Sequence, residues 1–199
     1  MSTDNEENRD HSLIKGPSLG ITDNLPKREM WKEVAEEYNG EFKIKHDAGH
    51  VLETHNISIP HKKWVINISV SDSRPLKFQI DFSASQEFNL QLSWEDFVEK
   101  MLKKFRKSKI EVGWKEFDNR YLIKSNRSDL AKQTITSDIQ KMLLKHNVYS
   151  ISYHSNMKSR TAEMVSVIQR KAGNKEMIIE LIAMYKLLID NLEELRVVK

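Results

Sequence analysis

Residues 110–126 read IEVGWKEFDNRYLIKSN and lie between the two best-marked amphipathic helical stretches, so they decide whether sheet or further helix joins those stretches. Ile110 and Val112 alternate with charges, Gly113 frees the backbone, and the side chains of Asp118 and Asn119 can hydrogen-bond their own main chain. Tyr121 and Ile123 then fall on one face and Leu122 on the other, as a period of two requires. The spacing predicts strand, turn, strand.

Upstream, the same period of two governs most of Glu41 to Ser93. Phe42 and Ile44 alternate with charges, and Val51 to Ile59 is a looser run ended by Pro60. Trp64, Ile66, Ile68 and Val70 alternate well, as do Leu76, Phe78, Ile80 and Phe82, and then Phe88, Leu90 and Leu92. Such alternation leaves one dry face and one wet face, the mark of an antiparallel sheet. Short connections, Ser71 to Pro75 the most turn-like, make a meander the economical topology.

Helical spacing surrounds these strands. Asn24 and Pro26 open a helix that carries Trp31, Val34, Ala35 and Tyr38, and Asn39-Gly40 closes it with residues that accept positive φ. A second helix starts at Ser93, with Trp94, Phe97, Val98, Met101, Leu102 and Phe105 on one stripe. Asn126 caps a third, whose buried face runs from Leu130 to Leu143 and whose end is Lys145-His146-Asn147. Val148 to Tyr153 and Met164 to Ile168 add strands, and Asn174 starts the longest helix, reaching about Arg196. Between Met177 and Ile189 that helix is apolar nearly all round, which calls either for a sheet curled about it or for a second copy and a homodimer. The fold expected is α+β: an antiparallel sheet of about seven to nine strands, largely a meander, with helices on one side and a long C-terminal helix.

Composition sets outer limits. With 39% hydrophobic and 31% charged residues the chain can bury a core beneath a heavily solvated exterior. Residues 1–23 are polar and punctuated by Gly16, Pro17 and Gly20, which predicts a disordered tail before a single domain over 24–199. The absence of cysteine removes disulfides, zinc–thiolate sites and thiol catalysis. An acidic N-terminus and the lack of any long apolar run point to a soluble, cytoplasmic protein. A net charge of +3 speaks to solubility more than to partners.

The run Gly113-Trp114, Phe117-Asp118, Tyr121, Ile123-Lys124 and Asn126 resembles an uncharacterised family of soluble bacterial α+β proteins, with the likeness extending over about residues 78–153. The resemblance implies a bacterial origin and an intracellular setting, and carries no catalytic residue with it.

Three constellations bear on chemistry. His46, His50, His55 and His61 with Asp47 and Glu53 are the nearest approach to a metal site, although Asp47-Ala48-Gly49 reads as a turn and the set matches no ligand motif; polar residues on a solvated hairpin explain it as well. The basic stretch 100–124 has nine cations, among them Lys103, Lys104, Arg106, Lys107, Lys109, Lys115 and Arg120, against three acids, for +6. It could follow a phosphate backbone while Trp114 or Tyr121 stacks on a base, or it could close a helix and decorate a hairpin. Glu116 and Asp118 could pair as acid and base, or Asp118 with Arg120, but a turn-stabilising aspartate explains the latter better. No nucleophile elbow, P-loop or dinucleotide fingerprint is present, and the six glycines stand singly.

No catalytic residue, metal or cofactor is called for. The expectation is a non-enzymatic binding or interaction module. A carrier of a hydrophobic ligand, with a pocket lined by Phe78, Phe82, Phe88 and Ile182, is the alternative from another class. Binding of nucleic acid or an acidic partner through residues 100–124 is a third reading, and an enzyme comes last.

Overall fold

The computed structural model describes residues 25–46, 53–71, 74–94, 110–168 and 174–199. Alternating residues become strands: β1 (Glu41–His46), β2 (Glu53–His61), β3 (Trp64–Ser71), β4 (Leu76–Ser83), β5 (Asn89–Trp94), β6 (Tyr121–Ser125), β7 (Val148–Asn156) and β8 (Thr161–Ile168). The helices are α1 (Leu25–Glu37), α2 (Lys115–Arg120), α3 (Ser128–Thr134), α4 (Ser137–His146) and α5 (Lys175–Glu194).

All eight strands join one open antiparallel sheet in the order β1-β2-β3-β4-β8-β7-β5-β6. The expected α+β fold with a largely sequential sheet is what the chain adopts, with one departure. The meander runs from β1 to β4, then the chain crosses to β5, and the β7–β8 hairpin later fills the gap. One face of each central strand is buried, Trp64, Ile66 and Ile68 on β3 and Phe78, Ile80 and Phe82 on β4. The helices lie on that face.

α5 is the centre of the helical layer, flanked by α1 on one side and by α3 and α4 on the other. Its wide apolar girth is therefore covered within the chain: Ile178, Leu181, Ile182, Tyr185, Leu188 and Ile189 are all buried. Phe78 stacks on Tyr185 with ring centroids 4.2 Å apart. The Tyr185 hydroxyl donates to Ser166 Oγ, which donates in turn to the Ser150 carbonyl at 2.8 Å, so a wholly buried phenol is satisfied. Asn174 caps α5 by accepting from the Met177 N–H at 2.8 Å, as the sequence predicts. Beyond α5 the chain turns back, and Val197 and Lys199 hydrogen-bond to Ser85 and Ser83 at the end of β4.

Three local expectations are corrected. Residues 110–113 form no strand; they lead into α2, and the turn expected at Asp118-Asn119 lies inside that helix. The cause is Asp118, whose two carboxylate oxygens accept from the Val112 and Gly113 N–H groups at 3.0 Å each, folding the loop back onto the helix. The third helix is broken in two, because Ile135 leaves helical geometry (φ −93°, ψ 69°) and its carbonyl is taken by the Gln140 side chain at 2.8 Å. Asn126 caps neither piece; its side-chain oxygen accepts from the Asn89 N–H at 2.7 Å. Ser93 and Trp94 end β5, and the rest of the stripe from Phe97 to Phe105 lies outside the described residues.

Asn39 ends α1 with φ +52°, as expected of a residue that tolerates the left-handed region. Gly40 does not share that role. Its backbone is ordinary, and a Cβ there would lie 2.5 Å from the Ser58 carbonyl oxygen, so the glycine serves the close approach of the helix end to β2.

Candidate functional site

The side of the sheet away from the described helices is covered by none of them. Strand register sets its residues in rows. One row crosses all eight strands as Glu41, Ser58, Asn67, Gln79, Val165, Ser152, Gln91 and Lys124. The next runs Asn56, Ser69, Lys77, Val167, Ser150, Ser93 and Leu122. Between the edge strands these two rows hold one charge, Lys77, in a chain that is 31% charged. Their polar groups are partly spent on each other: Ser58 Oγ donates to Asn67 Oδ1 at 3.0 Å and Lys77 Nζ to Gln79 Oε1 at 2.8 Å.

Toward the β6 edge this face dips into a cleft of about 380 Å³, lined among others by Asn89, Gln91, Lys124, Asn126, Ser152 and His154. Asn89 anchors it: its backbone N–H donates to Asn126, its side-chain oxygen accepts from the Ser155 N–H at 3.2 Å, and its carbonyl accepts from Ser125 Oγ at 2.6 Å. A second cleft, of about 430 Å³, opens at the other side of the β6 edge between the loop bearing Trp114 and the α3–α4 junction.

Among the described residues the histidine constellation does not converge. Glu53 and His55 do share a face, with His55 Nε2 3.3 Å from Glu53 Oε2, but Glu53 is already gripped by Arg28 through both its oxygens. His46 pairs opposite Glu53 across β1 and β2, while His61 lies at the far end of β2 against Asp190 at 2.9 Å. His50 and Asp47 lie outside the described residues, and among the described residues no group of three histidines or carboxylates is placed to hold a metal.

What the histidines form instead is a repeated clamp, a carboxylate between an imidazole and a stronger cation. Arg28–Glu53–His55 ties α1 to β2; Lys62–Asp190–His61 ties the β2–β3 turn to α5; Lys145–Glu180–His146 ties α4 to α5. The hydrogen bond from Arg28 holds the Glu53 carboxyl below its ordinary range. Burial works against ionisation of Asp190, yet hydrogen bonds from Lys62 and His61 bring it below the usual value. Glu180 is lowered chiefly by the hydrogen bond from Lys145. Burial pulls His146 down despite Glu180, whose oxygen lies 2.8 Å away but off the line a hydrogen bond needs.

In the basic stretch, Lys103, Lys104, Arg106, Lys107 and Lys109 lie outside the described residues, and Lys115 and Arg120 are exposed. Arg120 stacks over the Trp94 ring at 4.2 Å and donates to Asn147 Oδ1 at 3.2 Å, leaving Asp118 to its backbone partners. Tyr121 is closed to any base: it is buried against Phe117, and its hydroxyl sits 2.9 and 2.7 Å from the carbonyls of Leu143 and Val148. Burial pushes its pKa up to about 12. Trp114 is half-buried and lines the second cleft.

The four residues of the carrier reading, Phe78, Phe82, Phe88 and Ile182, are all buried between sheet and helices. Phe82 and Phe88 meet around Tyr153, whose hydroxyl is buried without a hydrogen-bond partner. Neither cleft was legible in the sequence, since Gln91, Ser152 and His154 are the wet half of an alternating pattern and Lys132 and Lys141 come from a helix pair read as one helix. The signal that was there is the scarcity of charge in two rows of that wet half.

A scan against protein-family models and a search of curated proteins both return no match. Among solved structures, the fold is similar to that of the mycobacterial trehalose monomycolate transport factor A, TtfA, at a TM-score of 0.53 and 12% identity, covering 89% of this chain and 98% of that one. At that identity the likeness is one of fold alone.

Proposed function

We propose that this protein is a non-enzymatic binding module whose partner lies across the face of the sheet that no described helix covers. The observation that carries the reading is the pair of charge-poor rows through Gln79 and Lys77. Charged residues are depleted where partners bury a surface, and these two rows avoid them although the adjoining row on the same face carries Asp81 opposite Glu163. Small hydroxyl and amide side chains with Val165 and Val167 make that face flat and low in side-chain entropy cost, suiting broad contact. A photo-crosslinking residue at Gln79 or Gln91, introduced in the native host, tests this against the same residue at exposed Ala183 on α5. One discrete adduct from the sheet positions, absent from Ala183 and abolished by Val165→Glu, is expected. Equal adducts from both faces, or none from the sheet, would end the proposal.

A second reading, the hydrophobic carrier, is favoured by the unpartnered Tyr153 hydroxyl between Phe82 and Phe88. A buried hydroxyl without a bond is costly, and a polar end of an otherwise apolar ligand would relieve it. Native mass spectrometry of the purified protein should then show a copurified apolar mass, and a clean protein peak counts against this reading.

A further inference from the structure

We infer that the cleft beside Trp114 is a binding site for a small planar carboxylate, separate from the sheet face and independent of it. The cleft measures about 430 Å³, within the ~300–1,000 Å³ of sites for small organic ligands. One wall is the half-buried indole of Trp114. It is held by Asp118, which spends both carboxylate oxygens on the loop's N–H groups and so offers none to the cleft. The floor is Ile135, fully buried, beside Gln140, whose amide nitrogen is fixed on the Ile135 carbonyl.

Lys132 from α3 and Lys141 from α4 line the same cleft. Lys141 shares its charge with Asp138 at 2.9 Å, whereas Lys132 makes no ion pair among the described residues. The lining thus combines a surplus positive charge with an aromatic side chain. A ligand that answers both needs a flat body for the indole and an anionic end for Lys132. The hydroxyls of Thr136 and Ser137, in the same wall, make no hydrogen bond among the described residues and supply donors for a carboxylate oxygen. An exposed lysine pair contributes little alone, so affinity for a minimal ligand is expected near ~1 mM.

Benzoate, with benzamide as its uncharged isostere, probes the site by ¹H–¹⁵N NMR on the full chain up to about 10 mM ligand. Saturating benzoate shifts confined to residues 112–114 and 135–141 are expected, with benzamide roughly fivefold weaker or more. Lys132→Met should erase that difference without moving benzamide, and because Lys132 is exposed the variant keeps its fold. Trp114→Leu should weaken both ligands. Benzoate and benzamide binding alike in the wild-type chain, or benzoate shifts that scatter over the surface or are absent to the end of the titration, would overturn the inference.

Discussion

Gly40→Ala sets two accounts of one glycine against each other. Were Gly40 present for the chain reversal after α1, the position would need positive φ, but its backbone is ordinary and Asn39 takes the left-handed turn at φ +52°. On backbone grounds alone alanine should then stabilise by about 0.4–1 kcal/mol, by narrowing the unfolded ensemble. The new Cβ, however, would sit 2.5 Å from the Ser58 carbonyl oxygen and 3.4 Å from both the Ala35 oxygen and the Ile59 Cα. All three are main-chain atoms, and Ser58 is locked opposite Glu41 in the β1–β2 ladder, so relief requires moving strand or helix. Forced overpacking of this kind costs roughly 1–3 kcal/mol. Setting the entropic gain against it leaves a net loss centred near about 1.3 kcal/mol and reaching about 2.6, or a fall in Tm of about 3–5 °C at the centre for a chain of this size. Urea unfolding followed by tryptophan fluorescence, with calorimetry alongside, measures it. A variant as stable as the parent, or more so, would refute the steric account and with it the packing of α1 on β2.

Other outcomes follow from the same coordinates. Gly113→Ala meets no atom within 4 Å yet sits at φ +93°, so it should cost about 1–2 kcal/mol through backbone strain alone, seen as an unchanged m-value with a lower urea midpoint. Tyr121→Phe should cost about 1–2 kcal/mol by removing a buried hydroxyl whose proton is shared between the Leu143 and Val148 carbonyls, whereas Tyr153→Phe removes a hydroxyl with no hydrogen bond among the described residues and should be neutral or stabilising by up to ~1 kcal/mol; paired denaturation curves in which the order reverses would contradict the assignment. Stability should fall on acidification in two stages. His146 titrates lower in the fold than in the unfolded chain, so stability present above about pH 6.5 declines below it; the lowered carboxyls of Glu53, Asp190 and Glu180 contribute stability present above about pH 4 and lost as pH falls through their folded values. Urea midpoints across pH 4 to 8 test the sign, His146→Gln should flatten the upper stage, and midpoints that rose toward acid would exclude it.

The strands were legible because alternation is a local property: Trp64 to Val70 and Leu76 to Phe82 bury every second residue as their spacing requires. Their order was not, since nothing in β4 or β5 records that a hairpin some eighty residues on will separate them. The central stretch deceived for a different reason. Ile110 and Val112 carry the twofold pattern, but Asp118 reaches back to the Val112 and Gly113 amides, and a side chain that bonds five or six residues upstream leaves no trace in periodicity. Leu130, Ala131, Ile135, Ile139 and Leu143 likewise keep helical phase across a break made by one side chain, Gln140, on one carbonyl. The aromatic residues drew attention to the core, where Phe78 and Phe88 are buried, while the two clefts depend on Gln91, Ser152, Lys132 and Lys141, residues whose types alone mark nothing.

The crossing from β4 to β5 has a consequence for how the polypeptide is made. Until the β7–β8 hairpin has left the ribosome, β4 has a raw edge and β5 has only β6 beside it, so two part-sheets wait with unpaired main-chain groups. The hairpin enters as a keystone, bonding eight residue pairs to β4 on one side and five to β5 on the other. Closure thus waits for residue 168, and a chain interrupted before it would present two sticky margins to its neighbours, the condition under which chaperone dependence and aggregation arise.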